Sequence, residues 1–260
     1  MQTRTTLPPK PTSEAYRPEL TRLPRLTIWR RALRRLVSWL LRLVILTFTR
    51  CTVSGLENIP PRGAAILVFN HLGDADPVVG MAIWTRQVEF LAKSELYKFP
   101  ILGKLLDVYG VIWLHRGAPD RRALRAALDG LSEGRLVAIA PEGRESLTGS
   151  LEEGTGGAAY LAFKSGSPVL PITFTGTENA RIYPNLKHFK RTRIRLTIGE
   201  PIRLQPAPNS HAAVHQGTQQ IMCALANLLP PEYRGVYQSA NPTPPPVSEA
   251  AEDGGSNGSQ

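Results

Sequence analysis

Cysteine is nearly absent: only Cys51 and Cys223 occur in 260 residues. Two thiols so far apart in sequence make neither a disulfide framework nor a closed zinc site. Both read as small apolar side chains in a reducing compartment. Long apolar runs are missing as well. The most apolar stretch, Leu36 to Phe48, is broken by Arg42 and falls short of the roughly 20 residues of a simple membrane span. Acidic residues are few, 21 against 31 Lys and Arg, leaving a net charge of +10. That surplus points to an anionic partner: nucleic acid, phosphorylated metabolites or a membrane surface. What remains, 42% hydrophobic and 20% charged, is the composition of one globular domain with a sizeable core.

The ends carry no period. Residues 1–24, with Pro8, Pro9, Pro11, Pro18 and Pro24, read as a disordered arm, and residues 239–260, with Pro242 and Pro244 to Pro246, as a disordered tail. Residues 25–50 instead sort into two faces on a helix. Leu26, Trp29, Leu33, Leu36, Val37, Leu40 and Val44 share one sector, and Arg30, Arg31, Arg34, Arg35 and Arg42 oppose it. No acidic residue lies between Glu19 and Glu57, so the basic face is uncompensated and suited to anionic lipid, with Trp29 and Trp39 at headgroup level. The segment is expected to be an amphipathic, membrane-interacting helix; the rival reading packs its apolar face onto the domain.

Residues 51–238 alternate short apolar runs with helical patterns. Strands are expected at Ala65–Phe69, Val88–Leu91, Val111–Leu114, Leu136–Ala140, Val169–Phe174 and Ile194–Ile198. Helices are expected at Pro77–Trp84, Ile101–Tyr109, Asp120–Ser132, Gly156–Ser165 and Ser210–Leu229. The implied fold is α/β: a mixed, largely buried sheet flanked by helices, preceded by the amphipathic segment. Ligands in such folds bind outside the carboxyl ends of strands.

Four motifs fall at those ends. In the first, Asn70-His71-Leu72-Gly73-Asp74-Ala75-Asp76-Pro77, the turn can fold Asp76 back onto one imidazole nitrogen of His71, freeing the other to accept a proton. Asp76 can equally be a helix cap alone, and Asp74-Ala75-Asp76 also fits a metal-holding Asp-X-Asp element. The second, Gly110-Val111-Ile112-Trp113-Leu114-His115-Arg116, delivers Arg116 as a phosphate clamp or as a solvated surface charge. The third is Pro141-Glu142-Gly143-Arg144-Glu145-Ser146, and the fourth is a strand bounded by Pro168 and Pro171.

Together, in this order and spacing, the motifs resemble those of the glycerolipid acyltransferases, the family of 1-acylglycerol-3-phosphate O-acyltransferases, over about residues 54–201. The resemblance implies transfer of a fatty acyl group from acyl-CoA or acyl carrier protein to the free hydroxyl of a lysolipid in phospholipid biosynthesis. It implies His71 as base, Asp76 as its orienting partner, and Arg116, Glu142, Gly143 and Arg144 as acceptor-binding residues, with the thioester as co-substrate and no other cofactor or metal. The amphipathic segment points to a membrane surface, at the cytoplasmic face, as partner, and basic residues concentrated opposite an apolar face, with no recognised nucleic-acid motif, argue against nucleic acid. Arg144-Glu145 stands where the family has Thr-Arg, and Glu152-Glu153-Gly154 where it often has Lys-X-Gly, which leaves the acceptor open: 1-acylglycerol 3-phosphate, another lysolipid or a glycolipid. A reading from a different class is a metal-dependent glycosyl- or phosphotransferase using Asp74 and Asp76.

Overall fold

Apolar runs that lack polar alternation are buried on both faces and pair side by side in parallel. Five strands do so in the computed structural model, which describes residues 7–13, 17–84, 86–117, 119–205 and 210–238. In chain order the elements are α1 (Ile28–Phe48), β1 (Thr49–Ser54), β2 (Ala65–Phe69), α2 (Ala75–Ile83), β3 (Val88–Lys93), α3 (Pro100–Tyr109), β4 (Ile112–Leu114), α4 (Arg121–Ser132), β5 (Leu136–Ile139), α5 (Gly157–Ser165), β6 (Val169–Thr175), α6 (Asn179–Lys187), β7 (Thr192–Ile198) and α7 (Ser210–Leu228). They build one seven-stranded sheet, ordered β1-β7-β6-β2-β5-β3-β4. All pairings are parallel except β6 with β7. The sheet is mixed, as expected.

Alternate residues of β2 serve two cores. Ile66 and Val68 pack with α4, α5 and α7, whereas Ala65 and Leu67 pack with α1, α2 and α3. The carboxyl ends of β2, β4 and β5 open on one edge, where the first three motifs lie; the fourth, Pro168 to Pro171, begins β6 at the opposite edge, contrary to expectation.

Two elements were absent from the sequence reading. In β1, Thr-Arg-Cys-Thr-Val-Ser is an edge strand with only every second residue turned inward, so no apolar run announces it. α6 contains Pro184 and no buried residue, and neither signal is helical.

The N-terminal helix turns one arginine, as well as apolar side chains, toward the domain. Arg34, 2% exposed, makes a two-pronged contact with the fully buried Glu89 at 3.0 and 2.8 Å. Arg30 and Arg42 donate to backbone carbonyls of Val108 and Ala82. The expectation of a wholly uncompensated basic face is therefore corrected at Arg34, whose charge β3 neutralises. Trp29, Leu36, Leu40 and Val44 of the apolar sector are exposed, whereas Val37 is partly buried and packs on the core with Leu41 and Ile45. Ile101, Leu105 and Val108 of α3 are exposed as well. No helix among the described residues is long and apolar enough to cross a membrane.

The described part of the N-terminal arm is ordered against the domain. Ser13 and Arg116 exchange two hydrogen bonds, at 2.9 and 2.8 Å. Lys10 donates to the Glu153 carbonyl at 2.7 Å, and Arg135 donates to that of Pro24 at 2.8 Å. Composition hid these contacts because they use backbone groups, which every residue carries. The expected tail, residues 239–260, lies outside the described residues.

Candidate active site

The site is built around the end of β2. Asn70, 1% exposed, donates from Nδ2 to the Phe174 carbonyl at 2.9 Å and accepts from the Phe174 amide at 2.7 Å, fastening β2 to β6 where the strand gives way to a turn. His71 follows, and the chain then turns sharply enough that a side chain at Gly73 would stand 2.6 Å from the Thr177 carbonyl oxygen. That turn brings back Asp76, in the first turn of α2.

Oδ2 of the fully buried Asp76 lies 2.9 Å from His71 Nδ1 and accepts from the amides of Leu72 and Gly73 at 2.7 and 3.0 Å. The carboxylate therefore selects the tautomer protonated at Nδ1, leaving the Nε2 lone pair free. Burial lowers the His71 pKa, but the hydrogen bond and charge of Asp76, with Glu145 and Glu142 nearby, outweigh it and leave the pKa above the ordinary 6.5. The ring is 25% exposed and reachable by a substrate.

The third motif supports His71 from below. Glu142 is 1% exposed; its Oε1 accepts from the His71 amide at 3.1 Å and its Oε2 from the Glu152 amide at 2.8 Å. Desolvation pushes its pKa up to about 7. Gly143 takes a left-handed φ of 72°, which glycine adopts without strain, and the Ser146 amide donates to the His71 carbonyl at 2.7 Å. Arg144 is buried against Glu152 at 2.6 Å and donates to the Pro8 carbonyl at 2.8 Å. Glu142 and Arg144, expected to touch the acceptor, thus point into the protein and hold the turn beneath the histidine. Their hydrogen-bonding groups are taken up by amides, a carboxylate and carbonyls.

Arg116 does reach the same edge as His71. β4 lies three strands from β2, about 14 Å across the sheet, and Arg116 pairs with Glu95 at 2.7 Å. Beside it, His115 and Asp120 repeat the first motif's His-X-Gly-X-X-Asp spacing with Nδ1 and Oδ2 3.0 Å apart. Here Nε2 accepts the Arg17 amide at 2.7 Å, and the ring is 7% exposed. Asp74 turns from Asp76 to accept from Tyr183 Oη at 2.6 Å, and Asn179 donates to Glu145 at 2.8 Å. The two carboxylates of Asp74-Ala75-Asp76 do not converge. Among the described residues no group of three or more His, Cys, Asp or Glu gathers as a metal site.

Sequence reasoning missed Glu95, Asn179 and Tyr183, and it noted Glu152 without its pairing to Arg144. Glu95 sits just past β3, the strand beside β4, so the sheet order would have found it. Asn179 and Tyr183 come from α6, which the sequence did not announce, and Glu152 comes from the loop after β5.

Comparison with known proteins agrees with this geometry. The model of the Acyltransferase family matches residues 50–175, from β1 through β6. A 1-acyl-sn-glycerol-3-phosphate acyltransferase of Borreliella burgdorferi is 31% identical over 134 residues, 49% of this chain and 52% of that protein. One from Chlamydomonas reinhardtii is 31% identical over 193 residues, 72% of this chain and 55% of that protein. The chain thus spans about half the length of these curated relatives. The crystal structure of the 1-acyl-sn-glycerophosphate acyltransferase of Thermotoga maritima shares the fold, with a TM-score of 0.59 and 22% identity over 76% of this chain and 81% of that one. With three of its four motifs gathered on the carboxyl edge of this sheet and the family's model matching them, residues 50–175 are an acyltransferase domain of the glycerolipid acyltransferase family.

Proposed function

We propose that this chain transfers a fatty acyl group from an acyl thioester, acyl-CoA or acyl carrier protein, to the free hydroxyl of 1-acylglycerol 3-phosphate, yielding phosphatidic acid. The reading is carried by the His71–Asp76 pair: a 25% exposed imidazole whose Nδ1 is held at 2.9 Å by a fully buried carboxylate. Nε2 takes the proton of the acceptor hydroxyl as its oxygen attacks the thioester carbonyl. The tetrahedral adduct then expels the thiolate, which recovers the proton from the imidazolium. A thioester already carries a good leaving group, so the alcohol is the partner that needs help, worth roughly 10²- to 10⁴-fold. No covalent enzyme intermediate is required.

Asp76 holds the ring and stabilises the imidazolium. Glu142 holds the backbone of His71, and Gly143 makes the turn that follows it. Arg116 is the cation at this edge that an acceptor phosphate would take over from Glu95. Beneath the dyad, Leu67, Phe69, Pro77, Gly80, Trp84 and Phe90 pack around Asp76 and leave a void of only about 10 Å³, so the carboxylate is held in an apolar, closely packed setting. The outward apolar residues of α1 and α3 support contact with a bilayer at its cytoplasmic face, where both the lysolipid and the thioester are at hand.

The test is product detection by mass spectrometry. The protein in lipid vesicles with EDTA is given acyl-CoA, or acyl carrier protein charged with a fatty acid, and a mixture of lysophosphatidic acid with other lysolipids. Phosphatidic acid as the main product, lost in His71→Ala, is expected. No product with either donor, or an equally active His71→Ala, would overturn the reading.

A further inference from the structure

A basic cleft lies at the end of the sheet opposite His71, where β3 and β5 begin. It has a volume of about 660 Å³ and lies between α1, which supplies Arg34, Arg35 and Arg42, and the segments carrying Arg86 and Arg135, with Trp39 among its lining residues. α2 runs from Asp76 to this cleft, about 12 Å away at its nine-residue length. The cleft is therefore separate from the acceptor site.

Its charge is only partly answered from within. Glu89 contacts both Arg34 and Arg135, and Glu133 contacts Arg135. Among the described residues, the remaining three guanidinium groups face no carboxylate. Arg42 donates to the Ala82 carbonyl at 2.5 Å, and Arg86 donates to those of Pro60, Gly63 and Gly134 at 2.7, 2.8 and 3.1 Å. Arg35, exposed on α1, has no hydrogen bond or ion pair among the described residues. Carbonyl oxygens satisfy N–H donors but leave the positive charge standing. Three such charges around a concave, partly desolvated space select a polyvalent anion, and planar guanidinium groups fit phosphate oxygens in two-pronged contact.

Size and place narrow the ligand. A cleft of about 660 Å³ holds a phosphate together with the body that carries it. Trp39 is 56% exposed, and it is followed by the exposed Leu40 and Leu43 on the outward side of α1. We propose that the cleft between α1 and the amino-terminal edge of the sheet is a binding site for a phosphate-bearing molecule. Two sources share that chemistry: the head group of an anionic phospholipid and a soluble phosphate ester. The site rests on the cleft's own residues and stands whether or not the chain transfers acyl groups.

Two arms of one experiment separate the sources. The first measures flotation with phosphatidylcholine vesicles, with and without phosphatidylglycerol. The second measures the melting temperature with added glycerol 3-phosphate. Each compares the wild type with Arg35→Gln/Arg42→Gln, and with Arg31→Gln/Arg50→Gln, which removes the same charge outside the cleft. Arg35→Gln alone serves if the loss of Arg42 unfolds the chain, as checked by circular dichroism. A preference for phosphatidylglycerol vesicles that falls about tenfold in the cleft variant and changes little in the control identifies a lipid head group. A glycerol 3-phosphate stabilisation present in the wild type and control, but absent in the cleft variant, identifies a soluble ester. Equal losses in the two double variants, or no effect in either arm, would overturn the proposal.

Discussion

Oδ2 of Asp76 accepts three hydrogen bonds at once, from His71 Nδ1 and from the Leu72 and Gly73 amides. The carboxylate is thus fixed before substrate arrives, and the ring is fixed by it. Replacing His71 by Ala should lower kcat by about 10³-fold, and Asp76→Asn by about 10²-fold, since Asn can hold the ring but cannot stabilise the imidazolium. Steady-state rates with lysophosphatidic acid check both. Equal rates in wild type and Asp76→Asn would remove Asp76 from the mechanism.

The raised His71 pKa sets the acid limb of activity. The base works when neutral, so kcat/KM should rise with pH through a midpoint above 6.5. Glu142 is one of the charges raising that value, so Glu142→Gln should move the midpoint down. A midpoint that stays put would show that Glu142 does not act on the ring.

Stability should fall as pH rises over the same window. His71 and Glu142 both bind protons more tightly folded than unfolded, Glu142 titrating at about 7 rather than 4.5. Their contributions are full below the unfolded values and are lost as pH rises through the folded ones. Glu95 and Asp120, with lowered pKa values, act only below that window. Urea midpoints measured from pH 5 to 8 should decline, and less steeply in Glu142→Gln.

Asn70 should be a stability residue. Ala in its place leaves the buried amide and carbonyl of Phe174 without these partners, at about 3 kcal/mol in chemical denaturation. A loss under about 1 kcal/mol would mean that the β2–β6 junction relaxes around the gap.

Arg116 should act on binding. Arg116→Ala is expected to raise KM for lysophosphatidic acid by about 10- to 100-fold with a smaller change in kcat. Glu95→Gln, which weakens the competing ion pair, should lower that KM. A fall in kcat at constant KM in Arg116→Ala would place Arg116 outside the acceptor site.

How much of this was legible in the chain depended on how local the cause was. Ala65–Phe69 is strand over the residues expected, because five apolar residues in succession have few other places to go. The His71–Asp76 pair was legible because one turn makes it. The inward roles of Glu142 and Arg144 were not, because His71 and Pro8 reach them from distant parts of the chain. Nor was the burial of Arg34 within the basic face, because its partner Glu89 lies 55 residues away.

The second His-Asp pair carries a consequence for chemical selectivity. His115 and Asp120 share spacing and separation with His71 and Asp76, yet an amide of the N-terminal segment occupies the nitrogen that would react. An imidazole-directed acylating reagent should therefore distinguish two histidines that no six-residue signature can. Reactivity in this molecule belongs to whichever copy of the turn is left uncorked.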